Sequence, residues 1–199
     1  MKKMIFLFLF NIFLPQKILI PMGDEQNDHL KAYGIAFLAL KNNNTVNWLL
    51  NYKGGSFLLD LNKNLEQDCT LRGVTYYKVN GSQINNIYKT IEENNMEVVL
   101  LEKIPKIAVY SPPDKQPWDD AVTLALTYAE IDYDTIFDDE VLSGELANYD
   151  WLHLHHEDFT GQYGKFYKSY GKKAWYLKMK SDSEKFAIKN NFNTVHELK

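Results

Sequence analysis

The sequence predicts an α/β protein: a mixed N-terminal unit followed by the start of a doubly wound parallel sheet. Three observations predict it. Short apolar runs that end at proline or glycine alternate with longer segments whose apolar residues recur at helical spacing. Beyond Pro105 the rhythm becomes strand, helix, strand, short helix, strand, which suits right-handed crossovers onto a parallel sheet. The 199 residues, 45% of them hydrophobic and 24% charged, are enough for one domain or two small ones and leave no room for long disorder.

The expected organisation has three parts. Residues 1–16 read as a signal peptide, because Lys2 and Lys3 precede the apolar run 4–14 and Pro15 ends it. The run is too short to span a bilayer, although no pair of small residues marks a cleavage site before Gln16. This predicts an exported, periplasmic or extracellular protein without a stable membrane span after cleavage. Residues 17–104 form the N-terminal α/β unit and residues 105–199 the second, incomplete one.

Within the first unit, Lys17 to Ile20 reads as a strand stopped by Pro21. A helix over 25–41 follows, with Asp24 as its cap. Val46 to Leu59 reads as two strands around Gly54-Gly55. That glycine pair suits a tight turn better than a phosphate cradle, since no phosphate-loop or dinucleotide fingerprint accompanies it. A strand over 74–79, a helix over 82–94 and a short strand over 98–101 complete the unit.

In the second unit, Lys106 to Tyr110 is a strand, and Ser111 to Gln116 is a loop whose prolines forbid a helix. A helix over 117–130 carries Pro117 in its first turn. Strands follow over 133–137 and 150–155, separated by a short helix or turn over 138–144. After the glycine- and tyrosine-rich stretch 160–170, a helix over 181–190 precedes one further element over 192–199. No strand follows that helix, so the chain reads as the N-terminal portion of a longer protein.

Composition excludes some functions. The net charge is -4 and only Arg72 among the 22 basic residues is an arginine, which argues against a nucleic-acid binder. One cysteine, Cys69, rules out a disulfide within the chain and is expected to be a small, partly buried residue.

Ligands of doubly wound sheets bind outside the carboxyl ends of the strands. This places the candidate site at Ser111, at Asp138 with Asp139 and Glu140, and at His153, His155, His156, Glu157 and Asp158. His153 and His155 lie two apart on a strand and share a face. The imidazoles of His153, His155 and His156 are candidate Zn²⁺ ligands, and with the two carboxylates they are equally candidates for acid–base work or for hydrogen bonding within the fold. No other cofactor is indicated. The aromatic residues Trp118, Trp151, Tyr163, Phe166, Tyr167, Tyr170, Trp175 and Tyr176 suit either a peptide or carbohydrate surface or ordinary core packing. A small polar molecule is the expected ligand of the strand ends.

Four stretches carry a resemblance: Leu30 to Ala36, Trp48 to Phe57, Gln116 to Leu124, and Asp150 to Gly164, which reads Asp-Trp-Leu-His-Leu-His-His-Glu-Asp-Phe-Thr-Gly-Gln-Tyr-Gly. Together they resemble a family of exported bacterial proteins commonly labelled asparagine synthetase B. The resemblance implies a class I glutamine-amidotransferase-like domain from about Lys106 onward. It also implies hydrolase or amidotransferase chemistry, with a nucleophile after a further strand beyond Lys199. Lys2 stands where a glutamine-dependent synthetase would expose an N-terminal cysteine, and no pyrophosphate-binding loop is present. A noncatalytic ligand-binding domain and a cell-envelope interaction protein are the alternatives.

Overall fold

In a computed structural model of the chain, residues 16–111, 120–154 and 168–198 are described. They belong to two compact units that divide between residues 155 and 156. The first contains β1 (Lys17–Ile20), α1 (His29–Lys41), β2 (Val46–Leu50), β3 (Ser56–Asp60), α2 (Lys63–Leu71), β4 (Tyr77–Val79), α3 (Gly81–Glu93), β5 (Glu97–Leu101), β6 (Ile107–Tyr110), α4 (Ala121–Ala129), β7 (Asp134–Ile136), α5 (Asp138–Leu142) and β8 (Trp151–Leu154). The second contains α6 (Ala174–Lys189) and α7 (Val195–Leu198).

Two sheets account for the strands. The first runs β4-β1-β3-β2-β5 and is antiparallel throughout; the second runs β7-β6-β8 and is parallel. The mixed α/β class is therefore present.

The central strands β1 and β3 are buried on both faces, which explains why they read as apolar runs rather than alternating ones. Ile18, Ile20, Val46, Phe57 and Leu59 face α1 and α2 and meet Ala32, Ile35, Ala36, Leu65 and Cys69. Leu19, Leu49 and Leu58 point the other way, onto Ile84, Ile87 and Ile91 of α3. Each such fully buried aliphatic side chain contributes about 1.5–3 kcal/mol.

Several boundaries differ from the sequence-based expectation, each for a local reason. Helix α1 starts at His29, not Glu25, because Asp28 rather than Asp24 is its cap, accepting from the Lys31 amide at 2.9 Å. The residues ahead of it are held by Gln26, which is only 5% exposed. Its Nε2 donates to the carbonyls of Pro21 (2.7 Å) and Thr75 (3.2 Å), and its Oε1 accepts from the Thr75 amide at 2.8 Å. Thr75 is thereby used as an anchor, and the strand expected over 74–79 shrinks to β4. Replacing Gln26 by alanine would leave those backbone groups unpaired, so we expect a loss of about 2–3 kcal/mol in urea unfolding. A loss under about 0.5 kcal/mol would show that water replaces the amide at little cost.

Helix α2 was not expected at all. Asn62 caps it through the Asn64 amide at 2.9 Å, and Leu65 and Cys69, one helical turn apart, point inward. Helix α3 begins with a reciprocal pair: Gln83 N–H donates to the Asn80 side chain, and Asn80 N–H to the Gln83 side chain. Helix α4 starts at Ala121 behind an Asp120 cap, not at Pro117, and residues 112–119 lie outside the described residues. Helix α6 starts at Ala174 rather than Ser181, and the last expected element is the short α7.

The turn between β2 and β3 holds Asn51, Lys53, Gly54 and Gly55 at positive φ. A Cβ on Gly54 would lie 2.2 Å from the Met22 carbonyl oxygen, so glycine is required there by both conformation and space. The glycine pair thus serves as a turn packed against the end of β1, and Trp48 Nε1–H donates to the Gly55 carbonyl at 3.0 Å.

The antiparallel and parallel parts of the first unit meet where α1 passes the C-terminal end of α4. Gly34 allows the approach, since a Cβ there would lie 1.9 Å from the Ala129 carbonyl oxygen. Around it, Lys31 Nζ and Arg72 Nη2 each reach Glu130 at 2.7 Å, Lys41 pairs with Asp132, and the Tyr128 hydroxyl donates to Asp28.

Candidate functional site

Strand β6 lies between β7 and β8 and runs parallel to both. The register sets Tyr110 beside Ile136 on one side and beside Leu154 on the other. The carboxyl ends of the three strands therefore open on one rim, as the rhythm of the sequence predicts. Ser111 extends the ladder by one residue, its amide donating to the Ile136 carbonyl at 3.0 Å, and is 3% exposed.

The rim residues divide between the two faces of the sheet. His153 pairs with Val109, and Tyr110 follows Val109, so His153 and Tyr110 project to opposite faces. On one face the Tyr110 hydroxyl donates to Asp138 at the start of α5, and the rings of Tyr110 and Phe137 lie 5.1 Å apart. On the other face His153 Nε2 lies 2.8 Å from Asp120 Oδ2. The sequence-predicted residues Ser111, Asp138 and His153 are thus on one rim, but the structure does not gather Asp138 and His153 into one cluster. His155, His156, Glu157 and Asp158 lie outside the described residues.

Asp120 is the residue that sequence reasoning missed. It caps α4, with the Thr123 amide donating to Oδ2 at 2.9 Å and the Thr123 hydroxyl donating to the Asp120 carbonyl at 3.0 Å. Thr123 itself is 2% exposed. An aspartate directly before an apolar helical run, with a threonine three residues on, is the available signal.

The electrostatics of the pair follow from this position. Burial opposes charge on Asp120, but the Thr123 amide and the adjacent His153 outweigh it and hold the carboxyl below the usual aspartate range. At neutral pH the carboxylate can only accept, so His153 Nε2 carries the proton that joins them. Among the described residues Nδ1 meets no hydrogen-bond partner. An imidazole oriented by a capped carboxylate presents its second nitrogen for proton exchange or for a hydrogen bond to a ligand.

Cys69 is far less suited to chemistry. It is fully buried under the antiparallel sheet, and burial pushes its thiol up to about 12. A thiol of that kind is not a nucleophile at neutral pH. Among the described residues no three His, Cys, Asp or Glu side chains gather to hold a metal ion. Two of the three proposed Zn²⁺ ligands, His155 and His156, lie outside the described residues; the third, His153, is engaged with Asp120.

Of the aromatic residues considered for a peptide or carbohydrate surface, Trp151 is 42% exposed on β8. In the second unit Trp175 meets Tyr170 at a tilt and Tyr176 edge-on, with ring separations of 5.5 and 5.8 Å. Trp118, Tyr163, Phe166 and Tyr167 lie outside the described residues. Among the described residues no helix is long and apolar enough to cross a membrane.

Fold and site together define a mixed α/β protein with a separate parallel sheet whose carboxyl rim carries an oriented imidazole. No protein-family model, curated protein or solved structure matches the chain.

Proposed function

We propose that the carboxyl rim of the parallel sheet binds a small polar ligand bearing an amide or carboxylate. In this reading the protein is amidotransferase- or hydrolase-related, of the class I glutamine-amidotransferase-like type and of the exported family labelled asparagine synthetase B. The observation that carries the reading is the Asp120–His153 pair near the end of β8, which leaves the second ring nitrogen without a hydrogen-bond partner among the described residues. Asp120 fixes the tautomer and His153 acts as general base or hydrogen-bond acceptor. Cys69, buried beneath the antiparallel sheet, is not the attacking nucleophile in this reading.

A titration with glutamine, asparagine and glutamate, followed through the His153 imidazole resonances, tests the proposal. Saturable shifts with one of the three, lost in Asp120→Asn, are the expected result. Flat resonances with all three would overturn it. Ammonia release from glutamine then separates the two forms of the reading.

Export rests on Lys2, Lys3 and the apolar run that follows. Cell fractionation should place the protein outside the cytoplasm with a mature N-terminus near Gln16. A cytoplasmic product that retains Met1 would contradict it.

A further inference from the structure

The charge of the chain is unevenly placed. The net charge is -4 overall, yet residues 168–180 hold five lysines and no acidic residue. Lys168, Lys172 and Lys173 are exposed and have no ion-pair partner among the described residues. This basic stretch runs into α6, which is apolar on surface that faces water. Trp175, Leu177 and Met179 are 49%, 52% and 42% exposed.

The helical period sorts these side chains. Trp175, Met179 and Phe186 fall on one face of α6. Lys178, Lys185 and Lys189 form the row along one side of that face, and Lys180 lies on its other side. Asp182 stands in the lysine row, 2.9 Å from Lys178 and 4.0 Å from Lys185, so three ammonium groups are set against one carboxylate. Lys189 Nζ lies 6.0 Å from the centre of the Phe186 ring. Ala187, the buried residue of the helix, shares a groove with Val195 of α7 on a different side from Trp175.

We propose that α6 and the lysines ahead of it dock on an anionic phospholipid surface. The helix lies along the headgroup layer, with Trp175 and Met179 entering the acyl boundary and Lys172, Lys173 and Lys178 over the phosphates. An exposed aromatic face flanked by lysines suits that position, because the rings favour the interface and the long ammonium stems reach back to the headgroups. Charge complementarity selects lipids of negative charge. The exclusive use of lysine in this stretch speaks against nucleic acid, which is gripped by the planar fork of arginine. This inference is independent of the rim site.

Tryptophan fluorescence of the full chain on vesicles with brominated acyl chains tests it. The share of the emission due to Trp175 is the difference between the parent and Trp175→Phe, and it reports α6 rather than the apolar run 4–14. That share should be quenched on vesicles of phosphatidylcholine mixed with phosphatidylglycerol. Lys172→Glu combined with Lys173→Glu should lower the partition coefficient read from the quenching by about tenfold or more. Both lysines are exposed at the N-terminal end of α6, where glutamate is favourable, so the variant should keep the parent's thermal unfolding. Lys89→Glu, at an exposed site on α3, should leave the partition unchanged. A Trp175 share that is not quenched, quenching that survives the double substitution, or an equal loss in Lys89→Glu would each overturn the proposal. So would a DNA oligonucleotide held by the same lysines while vesicles leave Trp175 unquenched.

Discussion

Replacing Gly34 by alanine should destabilise the first unit by about 2 kcal/mol or more, although the change places a better helix former in the middle of α1. On propensity alone the substitution should stabilise by about 1 kcal/mol. The opposing effect is steric. The new methyl carbon would lie 1.9 Å from the Ala129 carbonyl oxygen, well inside van der Waals contact, and that oxygen belongs to backbone that cannot rotate away. Relief requires α1 and α4 to separate, and overpacking of this kind costs about 1–3 kcal/mol.

Separation also breaks the polar seam around Gly34. The pairs of Lys31 and Arg72 with Glu130 are partly exposed at the glutamate and contribute little individually. Arg72 is a different case, because its Nη1 is buried and has no hydrogen-bond partner among the described residues. Losing Glu130 would leave that guanidinium still more poorly paired. Urea unfolding of the parent and Gly34→Ala decides the matter. A gain of about 1 kcal/mol, the propensity value, would mean that the helices yield freely. Because α4 also carries Asp120, the same variant should shift the His153 imidazole resonances.

Asp120→Ala should have the next largest effect, about 2–3 kcal/mol. Loss of the helix cap accounts for about 1–2 kcal/mol, and loss of the charged acceptor for His153 adds to it. Asp120→Asn retains an acceptor for the Thr123 amide and should lose less. The pH dependence has a definite sign. Asp120 titrates in the folded protein below its ordinary value of 3.8, so its contribution is fully present above that value. It disappears as pH falls through the lower, folded-state pKa. The stability gap between parent and Asp120→Ala should therefore be constant from neutral to mildly acidic pH and close only in strong acid. A gap that begins to close near neutrality would show that the carboxylate is not stabilised by Thr123 and His153.

The parallel sheet was legible because its signals are local. Apolar runs stopped at Ser111, at Asp138 and near His155 give the strand ends, and parallel crossovers with a common carboxyl edge follow from the intervening helices. Its boundaries were less legible. Pro117 looks like the first residue of a helix, but the Asp120 side chain closes on the Thr123 amide and starts α4 later. Helix α2 escaped notice because only Leu65 and Cys69 of its nine residues are buried, too few to impose a visible period. The candidate site shows the same division. His153 was identified from its place at a strand end, whereas Asp120, thirty-three residues away, becomes its partner only through the packing of α4.

Taken alone, the amino-acid order indicates most of the strands and helices, the turn at Gly54-Gly55, a Cys69 at least partly buried and the place of His153 near a strand end. These depend on neighbours along the chain, through φ/ψ preference, capping and side-chain period. Tertiary structure decides which carboxylate holds His153, why Gly34 must lack a side chain, and how Gln26 comes to anchor Thr75. Each of those depends on the distance between segments far apart in sequence, and no local preference specifies it.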